Sequence, residues 1–82
     1  MNEIHFGKMI HQTLKKQGRT VTWFAQELNW GRSNVYRIFE RRGIYTELLE
    51  QISIILNCNF YDNAAEIMRN KLKNHEHSQE TK

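Results

Sequence analysis

Apolar residues recur along this chain at helical spacing, in segments separated by glycine, asparagine and arginine clusters. Ile4, Met9, Ile10 and Leu14 share roughly one stripe over residues 4–17, with Phe6 at its flank. Asn2 suits the N-cap of that helix, Glu3 its first turn, and Lys15 and Lys16 its last; Gly18 suits a left-handed stop. Thr20 is the next N-cap, opening a helix from Val21 to about Leu28 with Phe24, Ala25 and Leu28 facing inward. Asn29-Trp30-Gly31 reads as a turn, because Asn tolerates positive φ and Gly adopts it freely, while Trp30 adds bulk to a small core. A third helix from Arg32 to about Glu40 buries Val35, Ile38 and Phe39 before Arg41-Arg42-Gly43 breaks it. Thr46 caps a fourth helix whose Leu48, Leu49, Ile52, Ile55 and Leu56 point inward. After the interruption at Asn57-Cys58-Asn59, a fifth helix begins near Phe60 or Tyr61. It carries Ala64, Ile67 and Met68 on one face and Leu72 near its end. From about Asn74 no apolar residue anchors the chain, so a disordered tail is expected over 74–82. The pattern predicts an all-α domain of five helices over residues 1–73.

Composition narrows the function classes. Eighty-two residues hold one small core and leave little room for a deep catalytic cleft. The single cysteine, Cys58, excludes an intramolecular disulfide and every multi-cysteine zinc site, and between Leu56 and Phe60 it reads as a small, partly buried apolar residue. No amino-terminal segment has a long apolar core, so neither a signal peptide nor a membrane span is expected, which fits a reducing cytoplasm.

The net charge of +3 says less than its distribution. From Lys8 to Arg42 the basic residues are Lys8, Lys15, Lys16, Arg19, Arg32, Arg37, Arg41 and Arg42, against only Glu27 and Glu40. From Gly43 onward, acids outnumber bases. A basic first half suits a polyanionic partner, and it equally suits a solvated basic face.

The segment Val21–Phe39 decides between these readings. Two short helices crossing steeply need a small residue at their closest approach, a turn residue that accepts left-handed geometry, and apolar anchors on both sides. Ala25, Asn29, and the set Phe24, Leu28, Trp30, Val35 and Ile38 meet those needs. This is a helix-turn-helix. The run Phe24-Ala25, Leu28, Asn29-Trp30-Gly31-Arg32-Ser33, Val35, Ile38-Phe39 resembles the lambda-repressor-like, Xre-type helix-turn-helix family of bacterial and phage regulators. The likeness extends over about residues 4–70 and implies a compact five-helix DNA-binding domain, cytoplasmic location, major-groove operator binding and homodimers on palindromic sites. Two departures stand out. The family's glutamine at the start of the first motif helix, which touches a phosphate and orients a base-reading side chain, is Val21 here, and the usual turn glycine is Asn29.

A recognition helix enters the groove with its N-terminal turn forward. Arg32, Ser33 and Asn34 hold those positions, with Tyr36 and Arg37 further along. Arg suits guanine O6 and N7, and Asn suits adenine N6 and N7, so Arg32, Asn34 and Arg37 are the expected base readers, with Ser33 and Tyr36 at base edges or phosphates. Arg19, Thr20, Thr22, Arg41 and Arg42 are the expected phosphate contacts, Thr20 and Thr22 standing in for the missing glutamine. Lys15 and Lys16 are explained by the helix dipole. Trp23 either packs sideways on the first or fourth helix or stacks on a base.

The expected partner is double-stranded DNA, with no cofactor, no metal, no membrane and no evident small-molecule ligand. His75-Glu76-His77 lacks further ligands, His5 and His11 stand six apart, and no phosphate loop, carboxylate pair or nucleophile–base pair stands out, so no enzyme is expected. Phe60, Tyr61, Ile67 and Met68 form an apolar surface that either closes the core or faces a partner, and a homodimer through the C-terminal helices is expected. The function read from the sequence is a transcriptional regulator, specifically a repressor. The alternative is a protein-interaction module, such as an antitoxin or assembly subunit, on a helix-turn-helix scaffold.

Overall fold

The computed structural model describes residues 3–80, with side chains described through Asn74. Its described residues form five α-helices and no strand: α1 (Phe6–Lys16), α2 (Val21–Leu28), α3 (Arg32–Glu40), α4 (Thr46–Leu56) and α5 (Phe60–Glu80). The tail expected from Asn74 falls, beyond that residue, outside the residues whose side chains are described, as do Asn2 and the His75-Glu76-His77 triplet.

Helix ends follow local chemistry, with two departures from expectation. α1 begins at Phe6, so Glu3 precedes the helix, and its N-cap is His5, whose Nδ1 accepts from the Lys8 amide at 3.1 Å. α4 begins at Thr46 itself: Tyr45 occupies the cap position, its carbonyl accepts from the Leu49 amide at 3.0 Å, and no side chain caps the turn. Thr20 does cap α2, accepting from the Trp23 amide at 3.0 Å. Asn59 caps α5, its Oδ1 accepting from the amides of Tyr61 and Asp62 at 3.1 and 3.2 Å.

Left-handed backbone ends three helices. Gly18 stands at φ +71°, Asn29 at φ 58° and Asn57 at φ 50°, each after the last residue able to continue its helix. Gly31, by contrast, is extended at φ −74°, so the turn between α2 and α3 takes its left-handed residue from Asn29 alone.

The core joins Ile10 and Leu14 of α1, Phe24, Ala25 and Leu28 of α2, Val35, Ile38 and Phe39 of α3, Leu48, Leu49, Ile52 and Leu56 of α4, and Phe60 of α5. α1 sits centrally, against α3, α4 and α5, and α2 packs on α3. Trp23, Trp30, Ile55 and Cys58 pack half-buried at its margin, so Trp23 lies sideways against the core. No polar side chain is buried among the described residues. The end of α1 is also tied to α4: Gln17 Nε2 donates to the Leu56 carbonyl at 2.7 Å, satisfying one of the acceptors a helix leaves open at its C-terminus.

α5 divides the surface that the sequence left ambiguous. Phe60 is fully buried and Ile67 half-buried, whereas Tyr61, Met68 and Leu72 are exposed. Met68 lies at the edge of the inward face: at about 100° per residue it stands about 40° from Ala64 and about 100° from Ile67 around the helix, and 41% of its surface is exposed.

Candidate nucleic-acid interface

The helix-turn-helix is built by backbone geometry around Asn29. With that residue left-handed, the amides of Asn29 and Trp30 turn back to the carbonyls of Gln26 and Ala25 at 3.1 and 2.9 Å, closing α2. The chain then passes through extended Gly31, whose carbonyl accepts from Asn34 and Val35 at 3.1 and 3.2 Å and starts α3. No side chain caps α3, so the amides of Arg32 and Ser33 lie without a cap at the positive end of the helix.

α3 has two faces. Val35, Ile38 and Phe39 are buried, which by helical geometry turns Ser33, Arg37 and the last residue, Glu40, outward, with Arg32 and Tyr36 on one flank and Asn34 on the other. All five of these expected base readers are exposed. Tyr36 stands edge-on to Phe39, with ring centroids 5.9 Å apart, which steadies it on the core while half its surface stays open.

The expected phosphate contacts do not form one cluster. Arg19, Thr20 and Thr22 gather at the start of α2, where the Arg19 guanidinium lies 4.3 Å from the centroid of the Trp23 ring. Thr22 reaches across to α3, its Oγ1 accepting from Arg32 Nη1 at 3.3 Å. Arg41 lies at the other end and lines an open groove with Asn29, Trp30, Gly31, Asn34 and Arg37, a groove without an acidic side chain. Arg42 is engaged elsewhere: its Nε donates to the Ile4 carbonyl at 3.1 Å and sits 3.4 Å from the Glu3 carboxylate.

Sequence reasoning missed the residues that set α3 in place. Gly7 is buried where α1 meets the end of α3, and a Cβ there would meet the carbonyls of Ile38, Phe39 and Arg41. His11 stacks on Phe39, ring centroids 4.1 Å apart and nearly parallel. Burial, and secondarily the positive charge of Lys15, hold its pKa below the ordinary imidazole value. Neither residue breaks the apolar periodicity of α1, so only their distant neighbours reveal their roles.

Comparisons with family models, curated proteins and solved structures find no match for this chain. Among the described residues, no helix is long and apolar enough to cross a membrane.

Proposed function

We propose that this chain is a sequence-specific DNA-binding transcriptional regulator, a repressor, of the lambda-repressor-like helix-turn-helix kind, and not an enzyme. α3 enters the major groove, with Arg32, Ser33, Asn34, Tyr36 and Arg37 toward the bases. One observation carries this reading: a helix whose buried face is wholly apolar presents two arginines, a serine, an asparagine and a tyrosine together on its exposed face, with a single acid, Glu40, at its C-terminal end. These side chains match base-edge donors and acceptors, and Arg19 and Arg41 flank them where phosphates run.

Thr22 serves in place of the family's glutamine. By holding Arg32 it orders a long side chain before the bases are met, which lowers the entropy lost on binding. One domain touches few base pairs, so a homodimer through the C-terminal helices would raise specificity on a two-fold operator.

Selection of bound sequences from a random DNA pool, followed by gel shifts, tests the reading. The expected result is a salt-sensitive shift with a selected site that is weakened for the Arg32→Ala/Arg37→Ala variant. An absent or sequence-indifferent shift, or one unchanged in that variant, counts against it. The exposed Tyr61, Met68 and Leu72 favour the second reading, a protein-interaction module such as an antitoxin or assembly subunit. A tight protein partner with no DNA binding would support it.

A further inference from the structure

Two of the arginines expected to meet phosphates are held in the fold, and they are held in opposite ways. The Arg19 guanidinium carbon stands over the Trp23 ring, 4.3 Å from its centroid. A cation over an indole is attracted by the negative face of the ring, which consumes no hydrogen-bond donor. Among the described residues the arginine side chains that donate hydrogen bonds are Arg32 and Arg42, and no carboxylate pairs with Arg19. Its five N–H groups are therefore unspent. Arg42 is gripped by its donors instead. Its Nε donates to the Ile4 carbonyl at 3.1 Å and stands 3.4 Å from the Glu3 carboxylate. Turning to a phosphate would give up both partners, and the Glu3 charge would repel the anion.

Trp23 can hold a neighbour because it is itself held. Its side chain packs half-buried against the core, and its amide donates to Thr20 Oγ1 at 3.0 Å. The backbone of Arg19 is fixed as well, its amide donating to the Leu14 carbonyl at 3.0 Å. Thr22, in the same turn of α2, accepts from Arg32 at the start of α3. The Arg19 charge is thus fixed at the end of α2 that reaches α3.

We infer that Trp23 is a positioning residue for DNA binding: it holds Arg19 with every donor free for a backbone phosphate, while Arg42 serves the junction of α1 with α3. The inference rests on the DNA-binding reading and adds to it a role for an aromatic side chain that meets no base. Ordering Arg19 beforehand lowers the entropy lost on binding. Phosphate contacts carry no base information, so the gain falls alike on all duplexes.

A double-mutant cycle on the full chain tests it, with salt-dependent affinity read on the selected site and on an unrelated duplex. Trp23→Leu should weaken binding to both by about two- to fivefold, the strength of an exposed cation–π contact. In the Arg19→Ala chain the same substitution should cost nothing further, whereas a merely structural role would cost the same in either background. Trp23→Phe keeps a ring face and should retain most of the affinity. Arg19→Ala should flatten the salt slope by about one, and Arg42→Ala should leave it unchanged. Circular dichroism confirms that each variant stays folded. NMR without DNA reads the pair by itself: the Arg19 side-chain protons of wild type should be shifted upfield by the indole ring current. Ordinary Arg19 shifts, additive losses in the cycle, or equal changes of slope for Arg19→Ala and Arg42→Ala overturn the inference. A wild-type chain that binds neither duplex while keeping the upfield shift marks the failure of the DNA-binding reading, and the role of Trp23 falls with it.

Discussion

The amide of Gly7, in the first turn of α1, donates to the carbonyl of Arg41, just past the end of α3, at 2.9 Å. The neighbouring Phe6 amide donates to Arg42 at 3.0 Å. First-turn amides have no partner within their own helix, and here the chain leaving α3 supplies it. This backbone junction, together with His11 on Phe39, sets the position of α3 relative to α1. The exposed face of α3 is thus held from behind, by groups on its buried side and at its C-terminal end.

Replacing Gly7 by Ala should therefore be costly although Ala is the better helix former. The added Cβ would lie within 2.6 Å of the carbonyl oxygens of Phe39 and Arg41, and closer still to that of Ile38. These are backbone atoms that cannot rotate away. A loss of about 1–3 kcal/mol is expected, the usual range for overpacking, from a total of about 5–15 kcal/mol. Urea denaturation measures it, and a midpoint equal to wild type would show that α1 and α3 separate freely.

Thr22→Val keeps the shape of the side chain and removes the acceptor that holds Arg32. Both groups are exposed, so stability should change by less than about 0.5 kcal/mol. Affinity for the selected DNA site should fall by up to about tenfold, consistent with one modest hydrogen bond, while binding to unrelated DNA changes less. Thr22→Ser should retain most of the affinity. Equal losses on selected and unrelated DNA would remove Thr22 from any positioning role.

His11 makes stability depend on pH. Its pKa is lowered in the fold, by burial first and Lys15 second, so the unfolded chain takes up a proton more readily. Stability should be full above the unfolded imidazole value of about 6.5 and decline as pH falls from there toward the lowered folded value. His11→Phe keeps a ring against Phe39 but does not titrate. Comparing urea midpoints near about pH 7.5 and about pH 5, wild type should lose more than His11→Phe. Equal losses would place the titration elsewhere.

The core and most helix boundaries were legible because both follow from local rules. Phe24, Ala25, Leu28, Val35, Ile38 and Phe39 mark inward faces by spacing alone, and all are buried. Gly18, Asn29 and Asn57 mark left-handed ends by residue type. Caps were less legible where several residues compete within a turn: His5 caps α1 with a ring nitrogen, and Thr46 falls one position inside its helix.

The sequence by itself determined the five helices, the apolar faces they bury, and which polar side chains α3 carries outward, because 3.6-residue periodicity and turn chemistry act within a few residues. Only the tertiary structure decided what those side chains meet. Arg42 turns to Glu3 and Ile4, Arg32 rests on Thr22, Arg41 joins Arg37 along one groove, and Gly7 lies under the last carbonyls of α3. Apart from Arg37 and Arg41, which stand one helical turn apart, ten to thirty-nine residues of chain separate those pairs. No local preference encodes such contacts: they follow from burying the apolar faces of five helices against one another, which leaves Ile54 of α4 and Tyr61, Met68 and Leu72 of α5 exposed.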